Sequence, residues 1–167
     1  MFQNQEIEQL PTIEELNFKR IHKDYLKVIL LHFLILFAII FTGLFVFIEY
    51  KLNEIIPNFT LYVYLGVFIV FTIVIVLFLI GFSKRKYTLR EKDISYKSGV
   101  LVKKITTVPF SRVQHVEVDE GPISRLFHLA SISVYTAGDS SDDLEIKGIK
   151  KTEALQIKEF ISQQING

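Results

Sequence analysis

Hydrophobic positions along the chain fall into three regimes, and each predicts a different kind of element. Val28 to Ile48 is a run of 21 residues without Asp, Glu, Lys or Arg, and Phe59 to Phe82 is a second such run of 24. Both runs are apolar on every helical face, unlike the one-sided helices of a soluble core. At ~1.5 Å per residue, ~20 helical residues cross the ~30 Å hydrocarbon layer of a bilayer, so each run predicts a membrane span. A cleaved signal peptide fits the first run badly. The run is too long, no small-residue cleavage site follows it, and 27 mostly polar residues precede it.

The third regime begins at residue 83, where apolar and polar residues alternate. Tyr87 and Leu89 share one strand face, opposite Thr88 and Arg90, and the turn Arg90 to Asp93 leads to Ile94 and Tyr96 alternating with Ser95 and Lys97. Ser98-Gly99 offers a second turn before the β-branched run Val100 to Val108. Strands follow at Val113 to Val118, Ile132 to Thr136 and Leu144 to Ile149, with a short helical turn at Ile123 to Phe127. The parity of the first of these breaks between Val113 and Val116, which predicts a bulge. From Lys151 to Gln164 the period changes: Ala154, Ile157, Ile161 and Ile165 recur at helical spacing, joined by Leu155 and Phe160. Consecutive strands and then one amphipathic helix describe a curved antiparallel sheet or small barrel closed by a C-terminal α-helix.

The expected organisation is therefore an N-terminal segment (1–27), a first transmembrane helix (28–48), a loop (49–58), a second transmembrane helix (59–82) and a β-rich domain (83–167). Within the N-terminal segment, Ile7, Leu10, Ile13 and Leu16 suggest a short amphipathic stretch, interrupted by Pro11. Charge sets a direction. Lys19, Arg20, Lys23 and Lys27 precede the first helix, and Lys84, Arg85, Lys86 and Arg90 follow the second, whereas the loop holds Lys51 against Glu49 and Glu54. By the positive-inside rule both termini are expected to be cytoplasmic, in a multi-pass membrane protein. Phe33, Phe37, Phe41 and Phe45 form one stripe, read as lipid contact or packing on the second helix. His32 lies near the inner headgroups with no acidic residue in either span to receive a proton.

The order of these segments resembles the bacterial pleckstrin-homology (PH) domains of the YdbS-like membrane proteins. The resemblance rests on Tyr87-Thr88-Leu89 opening directly after two spans, Gly99-Val100-Leu101, and Val108-Pro109-Phe110-Ser111-Arg112-Val113-Gln114-His115-Val116. Gly121-Pro122-Ile123-Ser124-Arg125-Leu126-Phe127, Ser133 to Gly138 and the helix around Glu153-Ala154 complete it. One departure is His128, where a glycine is expected. The resemblance implies a seven-stranded, strongly bent sheet capped by the last helix. It also implies a non-enzymatic protein whose PH-like domain mediates protein-protein interaction or assembly, alongside a larger relative carrying several such domains.

Composition narrows the chemistry. With 19 positive and 18 negative residues, the net charge of +1 supplies no global field for nucleic acid. The absence of Cys excludes disulfides, thiolate metal sites and cysteine nucleophiles. No dinucleotide-binding, phosphate-loop, nucleophile-elbow or zinc-protease motif occurs, and no catalytic residue, metal site, cofactor or small-molecule substrate is expected. His22, His32, His115 and His128 lack ligand spacing, and Asp139, Ser141, Asp143 and Glu145 lack the glycine and the closing glutamate of a calcium loop. The binding features that remain are basic. Lys84, Arg85, Lys86, Arg90 and Lys92, joined by Lys103 and Lys104, are candidates for anionic membrane lipid, which makes an anionic-lipid-binding module the alternative function. Positive flanks also serve topology alone. Arg112 and Arg125 are interaction candidates for a protein partner or a second copy. Arg90-Glu91-Lys92-Asp93, taken as the loop between the first two strands, is too short and charge-balanced for specific phosphoinositide recognition.

Overall fold

A computed structural model describes residues 17–52, 60–100, 102–138 and 143–166. The amphipathic stretch proposed within residues 1–16, most of the loop between the apolar helices and most of the Asp139 to Asp143 loop lie outside the described residues. Among the described residues seven strands and four α-helices follow one another: β1 (Lys19–Arg20), α1 (Tyr25–Phe47), α2 (Thr60–Lys84), β2 (Lys86–Leu89), β3 (Asp93–Ser98), β4 (Lys104–Pro109), β5 (Val113–Asp119), α3 (Pro122–Leu126), β6 (Leu129–Thr136), β7 (Leu144–Lys150) and α4 (Lys151–Asn166). A π-helical turn, Ile48–Leu52, extends α1, and a 3₁₀ turn, Phe110–Arg112, joins β4 to β5.

The apolar runs are the two long helices, each long and apolar enough to cross a membrane. Almost none of their surface is buried by the rest of the chain: 11% of the first window and 0% of the second. A core helix of a soluble domain would be largely covered, so this surface calls for a lipid solvent. The phenylalanine stripe faces α2 over three of its four positions. Phe33 meets Phe78 edge-on at 4.9 Å, Phe37 meets Phe71 at 4.7 Å, and Phe41 meets Tyr64 at 5.2 Å, whereas Phe45 is exposed. Without a hydrophobic effect inside lipid, such ring packing is what holds two helices together. The His32 ring donates from Nδ1 to the Val28 carbonyl one turn back (2.8 Å).

The strands form two antiparallel sheets, β1-β2-β3-β4 and β5-β6-β7. α4 lies across β5, β6 and β7, inserting Ala154, Ile157 and Ile161 against Ile132, Val134, Ile146 and Ile149. Each fully buried Ile contributes about 1.5–3 kcal/mol of transfer free energy. Phe160 closes the helix end edge-on to Phe110 (6.0 Å), while Leu155 on the opposite flank stays exposed. The expected bulge is present as a register shift between Val113 and His115. Val100 to Val108, expected as one strand, is paired only from Lys104, because the chain first turns tightly at Gly99. His128 has φ 53°, a left-handed conformation, at the point where a glycine was expected. Its amide donates to the Arg125 carbonyl (3.1 Å) and its carbonyl accepts from Lys151 (3.0 Å), closing the end of α3.

Sequence order separates the residues before α1 from the sheet domain, yet the fold joins them. Lys19 pairs with Tyr87 and Arg20 with Lys86, so β1 becomes the edge of the first sheet across the whole apolar hairpin. Ile21 is buried in the domain core, and the His22 amide donates to the Gly148 carbonyl (2.8 Å). The first turn of α1 is then seated by Tyr25, whose side chain packs directly against Gly148. That glycine has φ +83°, and a Cβ there would stand 2.4 Å from Tyr25 Cγ. G148A adds both a left-handed strain and a clash, for an expected loss of about 2–4 kcal/mol. Thermal unfolding of the detergent-solubilised chain measures it. In a Y25G background the same change should cost at least ~1 kcal/mol less, since the colliding Cβ, Cγ and Cδ1 of Tyr25 are all removed; an unchanged cost would mean that the Tyr25 side chain is not the obstacle.

Candidate functional site

The foot of the hairpin meets the domain at the β3–β4 turn. Gly99 (φ +106°) lets the chain fold so tightly that a Cβ would collide with the Val102 carbonyl. The turn carries Val100 up to α2, where its Cγ2 lies beside Gly81. Clefts open on both sides of this contact. One, of about 520 Å³, has Leu77, Phe78 and Gly81 of α2 as an apolar wall, and Arg85, Tyr96, Glu145 and Lys147 opposite. Lys147 and Glu145 pair at 3.1 Å, which leaves Arg85 as the uncompensated charge of those four. Burial pushes the Tyr96 hydroxyl above its usual range, partly opposed by Arg85, so it stays a neutral donor.

The other cleft, about 250 Å³, is bordered by Lys84, Lys86, Lys97 and Lys103 with the Ser98 to Val100 turn. Among the described residues no acidic side chain lines it. Lys97 Nζ also lies 5.9 Å from the centre of the Phe18 ring, a cation–π contact.

The sequence candidates therefore separate. Lys84, Arg85, Lys86 and Lys103 converge on the two clefts. Arg90 does not: it is tied to Asp93 within the β2–β3 turn, through Nε and NH2 at 2.7 Å each. Lys92 sits in the same turn, its carbonyl accepting from the Phe110 amide (2.9 Å). Because β1 precedes the hairpin, that turn joins the second and third strands; the connection between the first two is the apolar hairpin itself. Lys104 and Arg112 line a different groove of about 400 Å³ along β4, which Thr136 also borders. Thr136 Oγ1 is buried there without a hydrogen-bond partner. Arg125 is exposed on α3, and α3 packs against α1. Lys97 and Lys147 were not singled out. Strand parity placed Lys97 opposite Ile94 and Tyr96, and Ser98-Gly99 signalled a turn, but nothing local showed that Lys103 would come back beside Lys97. His115 stacks on Tyr135 (4.3 Å), and among the described residues no group of three or more His, Asp or Glu is placed to hold a metal ion.

A polar cluster locks the far side of the foot. Glu153 of α4 accepts from Lys19 Nζ of β1 (2.6 Å) and from the Tyr87 hydroxyl of β2. Burial alone would raise the Glu153 carboxyl, but these two donors outweigh it and hold the group below its usual range. Burial, then the bond to Glu153, drive the Tyr87 hydroxyl far upward.

A family model described as "Bacterial PH domain" matches residues 27–165, so the chain belongs to the bacterial PH domain family. The match spans both apolar helices and most of the sheet domain. The chain is also similar to the UPF0699 transmembrane protein YdbS of Bacillus subtilis (strain 168), with 31% identity over 78 residues. That alignment covers 47% of each protein, so the likeness extends over about half the relative's length. A crystal structure of a DUF1696 family protein with a pleckstrin-homology domain, from Shewanella loihica PV-4, has 18% identity and a TM-score of 0.39, covering 48% of this chain and 70% of that one.

The Glu153 cluster predicts a pH dependence. A carboxyl with a depressed folded pKa stabilises fully above its unfolded value, about 4.3, and loses that contribution as pH falls through the folded pKa. E153Q should lower stability by about 1–2 kcal/mol at pH 7. The gap between wild type and E153Q should close as the pH falls below the unfolded value and through the lowered folded one. Denaturation midpoints of the full chain across pH 3–7 test it; a gap independent of pH would show that ionised Glu153 contributes nothing.

Proposed function

We propose that this is a non-enzymatic protein of the bacterial inner membrane whose PH-like domain, held on the cytoplasmic face with both termini, docks a partner protein through its open β4 edge. The observation that carries the reading is the sheet order. β4 ends one sheet and β5 begins the other, so each has only one paired neighbour. Lys104 and Pro109 blunt the two ends of β4 against uncontrolled pairing, while Ile105, Thr106 and Thr107 lie open between them. Ile105 is 40% exposed, an apolar side chain on a strand edge beside Lys103, Lys104 and Arg112. An extended segment carrying acidic residues and one apolar anchor suits that edge by strand addition. The flanking positive charges support the cytoplasmic placement.

The family resemblance supports a larger membrane relative with several PH-like domains as the partner. Native mass spectrometry of the full-length protein, purified from its own membrane in mild detergent, should show a stoichiometric second protein or a defined homo-oligomer. I105D should weaken that complex at least tenfold without lowering the melting temperature. A wild-type monomer, or an I105D complex as stable as wild type, would overturn the reading.

A further inference from the structure

A second binding surface lies on a different part of the domain from the β4 groove. Lys84, Lys86, Lys97 and Lys103 border one cleft, and among the described residues none of them pairs with a carboxylate. Four like charges gathered with no counter-charge among the described residues repel one another, so the arrangement favours an anion between them. Topology explains the first two lysines, which flank a span, but not Lys97 on β3 or Lys103 after the turn.

The chemistry around the lysines identifies the anion's source. On α2, Val76, Ile80 and Lys84 succeed one another at four-residue spacing and so share one helix face. Val76 is 46% and Ile80 44% exposed, an apolar track leading down the helix to the lysine. On the facing turn, Val102 is 79% exposed immediately before Lys103. Both walls thus step from apolar to cationic at the same end of the hairpin, as a bilayer steps from acyl chain to phosphate. A soluble phosphate would need only the lysines.

From this we propose that the four-lysine cleft is the headgroup site of one anionic phospholipid of the surrounding leaflet. Its phosphate lies among Lys84, Lys86, Lys97 and Lys103, and its acyl chains run along Val76 and Ile80. Val102, exposed immediately before Lys103, meets the same leaflet from the domain side. Each cation near an anionic leaflet adds to the attraction, so reversing two of them makes a measurable difference.

The test uses the full-length protein in nanodiscs of phosphatidylcholine with a minority of phosphatidylglycerol, released into native mass spectrometry. Wild type should retain one phosphatidylglycerol in preference to phosphatidylcholine. K97E/K103E, which leaves the span flanks intact, should lose that retention at least tenfold, and the milder K97Q/K103Q should fall between. K92E/K158E, the same charge change placed away from the cleft, should retain lipid as wild type does. Equal retention by wild type and K97E/K103E with unchanged melting temperature would overturn the site, and equal loss in K92E/K158E would reduce it to a diffuse field. Two further results would also overturn it: displacement of the lipid by inorganic phosphate alone, or lipid retention appearing only after removal of residues 1–16. That stretch carries Glu6, Glu8, Glu14 and Glu15 and ends next to Phe18, so the last result would name it as the cleft's occupant.

Discussion

The structure depends on one strand pairing made across a long interruption. β1 and β2 are antiparallel neighbours, with Lys19 against Tyr87 and Arg20 against Lys86, yet the whole apolar hairpin is inserted between them. That pairing requires both ends of the hairpin to emerge on one side and within one strand spacing, ~4.8 Å. Two antiparallel helices packed through Phe33, Phe37 and Phe41 satisfy the requirement. The hairpin and the sheet are thus constraints on each other, and Ile21, placed before the first helix, becomes part of the domain core.

Everything at the foot follows from that closure. With β1 paired, Lys19 and Tyr87 stand side by side, and Glu153 of α4 can accept from both. The three elements so joined come from before the hairpin, after it and the C-terminal end of the domain. Tyr25 against Gly148 seats the start of α1 on β7, and Val100 against Gly81 sets the β3–β4 turn beside the end of α2. The domain therefore does not hang from a flexible tether. Contacts at both helix feet fix its clefts relative to the apolar surface.

The same architecture explains why the two sheets differ in character. The second sheet is covered by α4 and carries the fully buried residues Ile132, Val134 and Ile146. The first presents its outer edge strand at one end and the open β4 at the other. Both sheets feed one core, the first through Tyr87, Ile94 and Val108, while α4 covers the second. His128, in a left-handed conformation at the end of α3, shows a local departure absorbed by backbone hydrogen bonds on both sides.

Much of this was legible in the residues. The apolar runs, the alternating strands, the bulge near Val113 and the stripe of α4 are local periodicities, and periodicity is what backbone geometry reads directly. Lys84, Arg85 and Lys86 stood out because they are contiguous. Three things could not be read this way. Lys19 to Ile21 looked like a flank to the hairpin, since a two-residue strand has no period of its own and its partner lies beyond two helices. Lys97 and Lys103 belong with Lys84 because a tight turn at Gly99 folds back toward α2, and charge counts along the chain carry no such distance. Arg90 was drawn into the basic cluster by proximity in sequence, but its nearest carboxylate, Asp93, claims it. The amino-acid order alone determined which segments are helix, strand or apolar span, because those are decided within a few residues. Which charges meet, and on which side of the hairpin, was decided only by tertiary closure, because contacts between distant segments depend on the packing of everything between them.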